Sequence, residues 1–220
     1  CRPLFQGDEL MIRTYEEFVS LLNEKGFMLF SGDGYLSLAD VTAPEAWHTG
    51  GPLDPWGWKD RLAQARDGAY AHMFAGRGGF VSRKWYPLFY AAYWEDLDES
   101  YALGLAPRLA LDMWRLFDER PVWGRHELRR ALSGRFAKKA EFERALRLLE
   151  RTMQITISGQ VQPLSANGMP MGWQAMEYAR VDMYLADWLS DAEPDAATAR
   201  QIIRTHAFET WPSLSDAEFA

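Results

Sequence analysis

The stretch from Ala106 to Val181 constrains this chain most, because its hydrophobic spacing changes character in a fixed order. Leu109, Met113, Leu116 and Phe117 share one face of a helix whose first turn holds Pro107. Pro121–Gly124 interrupts, a short helix runs from about Arg125 to Leu132, and Ser133–Gly134 turns the chain. A third helix spans about Lys139 to Thr152, with Phe142, Ala145, Leu146 and Leu149 inward. Residues 153–158 then alternate with a period of two, as a half-buried strand does. A loop rich in Gly, Pro and Asn follows from Gly159 to Gly172, and Trp173 to Val181 reads as a returning strand. Helix, link, helix, turn, helix, strand, loop, strand is the order of a winged helix, a helix-turn-helix with a β-hairpin wing. The fold class expected is α+β and mainly helical.

The flanking segments are less regular. Thr14 and Glu17 form a capping box ahead of Tyr15, Phe18, Val19 and Leu22, and Gly26 closes that helix. Phe27–Phe30 and Tyr35–Leu38 flank Ser31-Gly32-Asp33-Gly34, which predicts a hairpin. Residues 42–58 read as loop, Trp58 to Met73 as helix, Phe80–Ser82 as a short strand and Glu95–Ser100 as an acidic spacer. Residues 1–104 are therefore expected to form a Trp-rich α/β region and residues 105–190 the winged-helix domain. A helix from about Asp182 to Leu189 is followed by a break at Glu193–Asp195, then by a helix to about Phe208. Ser215–Glu218 has capping-box form where a second helix-turn-helix would begin its second helix. Residues 191–220 are read as a C-terminal helix, either the start of a truncated second helix-turn-helix or a packing helix.

A chain of 220 residues, 48% hydrophobic and 25% charged, can bury a core without staples and has the balance of a soluble globular protein. Its apolar runs fall far short of a membrane span, and Asp8, Glu9, Glu16 and Glu17 stand where a signal peptide needs an apolar core. The expectation is a cytoplasmic protein with no membrane partner. Cys1 is the single cysteine, and His48, His72, His126 and His206 are scattered, so neither a disulfide framework nor a metal site is expected. Gly76, Gly78 and Gly79 lack the G-x-G-x-x-G order, and no cofactor is expected.

The formal charge of −7 argues against a polyanionic partner, but its distribution does not. Arg120 to Arg151 holds ten basic residues against four acidic ones, a local net of +6, while the rest of the chain carries −13. Such a block fits the electrostatic footprint of a polyanion such as double-stranded DNA, and a charge-rich helix pair with one solvated face gives the same count. Lys138 and Lys139 open the third helix, the one that enters the major groove in a winged helix. Arg144, Arg147 and Arg151, at i, i+3 and i+7, share a face opposite Phe142, Leu146 and Leu149. The bland account of the same residues is a solvated face in which Arg147 pairs with Glu143 or Glu150. Most of the ten tryptophans read as core. Trp56 and Trp58, in a Pro/Gly-rich stretch, are instead candidates to line a cleft with Lys59, Arg77 and Lys84.

Trp56-Gly57-Trp58-Lys59, Tyr70, Gly76-Arg77 followed by Phe80-Val81-Ser82, and Trp85-Tyr86-Pro87 together resemble the AlkZ-related family, small relatives of the winged-helix DNA glycosylases AlkZ and YcaQ. The similarity covers about Trp47 to Val181. It implies a DNA-repair-like fold. In the glycosylases, a Gln, an apolar residue and then Gln or Asp enter a strand and act on water at the anomeric carbon. The matching strand here begins Gln154-Ile155-Thr156, where threonine is no general base near neutral pH, and a literal Gln160-Val161-Gln162 lies at the start of the wing loop. Full glycosylases are also longer. The reading is a DNA-binding winged-helix protein without a clear catalytic motif. The alternatives are an active glycosylase on alkylated or crosslinked bases, and a module that binds a protein partner or a small ligand.

Overall fold

The computed structural model describes residues 11–32, 34–165, 167–170, 172, 174–189, 193–211 and 214. Helix α1 (Tyr15–Lys25) begins with the expected capping box: the Thr14 hydroxyl accepts from the Glu17 amide, and the Glu17 carboxylate accepts from the Thr14 amide. Gly26 ends it at φ 83°, where a Cβ would lie 2.6 Å from the Trp85 indole nitrogen, so only glycine serves. The chain continues as β1 (Phe27–Leu29), α2 (Pro55–Ala65), β2 (Gly68–Phe74), β3 (Arg77–Ser82), α3 (Tyr86–Tyr93) and α4 (Leu97–Ala102). Then come α5 (Arg108–Glu119), β4 (Val122–Gly124), α6 (Arg125–Ala131), α7 (Lys139–Arg151), β5 (Ile155–Val161), β6 (Ala175–Arg180), the single turn α8 (Val181–Tyr184) and α9 (Ala196–Thr210).

All six strands belong to one antiparallel sheet, in the order β1-β3-β2-β5-β6-β4. The joint between its halves is the pairing of Tyr70 with Ile157. The fold is mixed α/β, and the sheet runs through both the Trp-rich region and the segment after Ala106. One continuous core unites them. Phe18 stacks on Trp58 at 5.8 Å and meets Phe80 edge-on at 4.9 Å, while Phe142, Leu146 and Leu149 are fully buried under α7.

The segment after Ala106 has the expected elements, and several earlier expectations are corrected. Phe27–Phe30 and Tyr35–Leu38 do not form the expected antiparallel hairpin: β1 pairs with β3, which offers a full ladder, and the second segment meets β1 through a parallel bridge of Ser37 to Leu29, the Leu29 amide donating to the Leu36 carbonyl. The helix expected over Trp58 to Met73 starts earlier, at Pro55 behind the Asp54 cap, and stops where Arg66 turns left-handed at φ 57°. Residues 68–74 then form a strand, because β3 and β5 supply partners on both edges. The acidic spacer is helix α4, capped by Asp96 with Leu97 and Ser100 buried. The link at 121–124 contains β4, which pairs with β6. The helix expected over 182–189 is α8 followed by a 3-10 turn at Ala186–Trp188. Residues 215–218, the expected second capping box, and Trp173 lie outside the described residues.

Candidate functional site

The charge of α6 and α7 is resolved by which acids are already engaged. Glu127 accepts from Arg120 at 2.6 Å and from the Gly124 amide, Glu143 pairs with Arg125, and Glu141 accepts from the Ala137 amide. Glu150 pairs with Arg147 at 2.9 Å. Asp112 of α5 takes Arg135 at 3.0 Å as well as Arg108. All four acidic residues of the 120–151 segment are thus used internally. Arg129 and Arg130 at the end of α6, Lys138 and Lys139 at the start of α7, and Arg144 are exposed and make no ion pair within 4 Å among the described residues, although Arg130 is near enough to Glu127 to help lower its carboxyl. Arg129, Arg130, Lys138 and Lys139 flank the turn between the two helices, and Arg144 lies in the second turn of α7.

Arg147 does not join that surface. β2 packs against α7 there, and the Arg147 guanidinium is engaged by Glu150. The Glu150 carboxylate is fully buried: one oxygen accepts from the His72 amide and lies 2.8 Å from His72 Nδ1, and the other takes Arg147. This cluster ties β2 to α7. Sequence reading missed it, although Glu150 lies at i+8 from Phe142 and i+4 from Leu146, which places a carboxylate on the buried face. Arg151 is exposed and lines a separate cleft beside Arg77.

The five residues expected to share an aromatic cleft are dispersed. Trp58 is 2% exposed and belongs to the core, its indole N–H donating to the Pro52 carbonyl. Lys84 is exposed beyond β3, and Arg77 begins that strand. Only Trp56 and Lys59 meet: the Lys59 ammonium lies 4.2 Å from the Trp56 ring centroid, donates to the Trp56 carbonyl and pairs with Asp60 at 3.1 Å. Asp54 fixes this turn by accepting from the His48, Gly50 and Trp56 amides. Burial pushes the Asp54 carboxyl up, but those three amides outweigh it and hold the group below the usual carboxylate range.

The three candidate glutamines occupy three different settings. Gln154 is 5% exposed and its amide donates to the Glu95 and Thr152 carbonyls, at the edge of a pocket of about 190 Å³ beside Trp94, Trp114 and Arg180. Gln160 stands within β5, opposite Met176, rather than in a loop, and its amide donates to Asp60. Gln162 follows the strand, with its amide donating to the Pro163 and Gly172 carbonyls. Thr156 is buried, 3.5 Å from the Tyr70 carbonyl. Among the described residues no group of three His, Cys, Asp or Glu side chains could hold a metal, and no helix is long and apolar enough to cross a membrane.

The sequence model of the AlkZ-related family matches residues 12–220. A solved structure of the Streptomyces sahachiroi DNA glycosylase AlkZ is similar at 13% identity and a TM-score of 0.46, over 76% of this chain and 49% of that one. The chain spans about half the length of that structure. No curated protein matches.

Proposed function

Because this chain belongs to the AlkZ-related family, we propose that it binds duplex DNA through residues 105–190 acting as a winged helix. In this reading the N-terminal end of α7 enters the major groove and the β5–β6 hairpin is the wing. The order α5, β4, α6, α7, β5, β6, with β6 paired to both β4 and β5, supports it. The observation that carries it is the internal pairing of every acid in the segment, which leaves Arg129, Arg130, Lys138, Lys139 and Arg144 to face a partner.

The same reading assigns no glycosylase chemistry. Gln154 and Gln160, which would have to hold a water against the sugar, donate their amides to Glu95 and Asp60, 59 and 100 residues away in the chain, and so serve the fold.

A salt titration of duplex affinity tests the binding. Replacing Lys138, Lys139 and Arg144 together by Ala is expected to flatten the slope of log K against log salt by roughly one unit per lost phosphate contact. An unchanged slope in a folded variant, or no measurable wild-type binding at about 50 mM salt, overturns it. On 7-methylguanine duplex the protein is expected to form no abasic sites above background; formation abolished by Gln154→Ala or Gln160→Ala would establish an enzyme instead.

A further inference from the structure

A cleft of about 370 Å³ opens between the β2–β3 turn, α3 and α9, beside Arg151 at the end of α7. Phe27, Phe74, Phe89 and Tyr93 wall it. Phe27 and Phe74 stack at 6.2 Å, and Phe89 meets them edge-on at 5.1 and 5.8 Å. Ligand sites are concave, mostly apolar, roughly 300 Å³ or more in volume, and oriented by a few polar groups. This cleft has those polar groups. Arg151, which ends α7 and has no carboxylate partner among the described residues, lines it with Arg77, against the single carboxylate of Glu95. The Tyr35 hydroxyl, on a side chain 5% exposed that also lines the cleft, has no partner at hydrogen-bonding geometry, although Thr210 is near.

We propose that this cleft binds a small planar aromatic carboxylate, its ring among Phe27, Phe74 and Phe89 and its carboxylate on Arg151. Each feature selects part of that ligand. Aromatic walls in offset and edge contact favour a flat ring over a flexible chain. A guanidinium fork matches the two oxygens of a carboxylate, and it adds an attraction that an amide of the same shape lacks. A volume near the lower end of the range for ligand sites fits one or two fused rings and disfavours a nucleotide. The site goes beyond the DNA reading and does not depend on it.

The test uses 2-naphthoate as probe, titrated into the full chain without DNA and followed by calorimetry. Its uncharged twin 2-naphthamide, acetate and adenosine monophosphate are run in parallel. The expected result is saturable one-to-one binding of naphthoate, at least tenfold weaker binding of the amide and of adenosine monophosphate, and none of acetate. Arg151→Gln, at an exposed position that leaves the fold intact by circular dichroism, is expected to weaken naphthoate at least tenfold and to leave the amide unchanged. Phe74→Ala is expected to weaken both. Equal affinity for naphthoate and its amide, or naphthoate binding indifferent to Arg151→Gln, would mark a nonspecific apolar site and overturn the proposal. Tighter binding of adenosine monophosphate, or no naphthoate binding at millimolar concentration, overturns it as well. None of these outcomes bears on the salt slope for duplex DNA, so the two readings fail separately.

Discussion

The two ends of α7 carry similar charge in the sequence and opposite situations in space. At its start, Lys138 and Lys139 are exposed and unpaired among the described residues. Near its end, Arg147 is drawn against a carboxylate with no exposure at all, and His72, from a strand almost eighty residues earlier, shares that carboxylate. The packing of β2 against one half of the helix makes the difference. A local net charge therefore describes what a partner meets only after internal pairs are subtracted. Here the subtraction moves the candidate interface from the i, i+3, i+7 face of α7 to its first turn and the end of α6.

The largest expected effect breaks the contrast at its buried end. Arg147→Met leaves Glu150 buried without its guanidinium, and removing one partner of a buried pair costs roughly 3–5 kcal/mol. The low end, about 3 kcal/mol, applies because Arg147 is itself 33% exposed and His72 still donates to the carboxylate. Arg144→Met, three residues earlier, should change stability by less than about 0.5 kcal/mol. Urea unfolding of both variants checks this, and equal losses would erase the distinction between the two halves of the helix.

A smaller effect tests what holds the α6–α7 turn in place. Asp112 on α5 accepts from Arg108 at 2.8 Å and from Arg135, in that turn, at 3.0 Å. Burial pushes its carboxyl up, yet the two guanidinium groups outweigh burial and hold it below the usual range. A carboxyl lowered in the folded state stabilises the fold above its unfolded value, near pH 3.9, and loses that contribution as pH falls through the folded value. Asp112→Asn should therefore cost about 1 kcal/mol at pH 7, since both arginines are mostly exposed. The gap to wild type should close as pH falls below that unfolded value. A constant gap as pH falls would mean that packing, not the ion pairs, anchors the turn.

What the sequence made legible follows the same divide between local and distant causes. α5, α6 and α7 announce themselves because their apolar faces and bounding turns lie within a dozen residues. β2 did not, since Ala69, Ala71 and Met73 suit a helix equally well and become a strand only between β3 and β5. β4 looked like a link because its partner β6 lies more than fifty residues on. Trp58 shares its sequence surroundings with Trp56, yet one is stacked on Phe18 and the other is 46% exposed; helical spacing from Trp58 to Leu62 separates them. The Gln160–Asp60 and His72–Glu150 contacts join positions 100 and 78 residues apart, which no local pattern encodes.

The smallest expected effect sharpens the contrast at the exposed end, and its sign is the informative part. Lys138 is the N-cap of α7, in extended backbone with no side-chain cap, and Lys139 follows in the first turn. Unpaired amides and the positive end of the helix dipole gather there, so a cation costs roughly 0.3–1 kcal/mol, whereas an Asp at the cap accepts an amide and is favoured. Arg151, at the opposite terminus, sits where the dipole welcomes a cation. Lys138→Asp should therefore raise stability by about 0.5 kcal/mol, a shift of roughly 1–2 °C in Tm, while weakening duplex binding. Opposite signs in the two measurements would mean that the lysine is kept against the preference of its own helix, as a phosphate contact would demand. A loss of stability would show that Lys138 serves the fold, and would leave Arg129, Arg130, Lys139 and Arg144 as the proposed contacts to DNA.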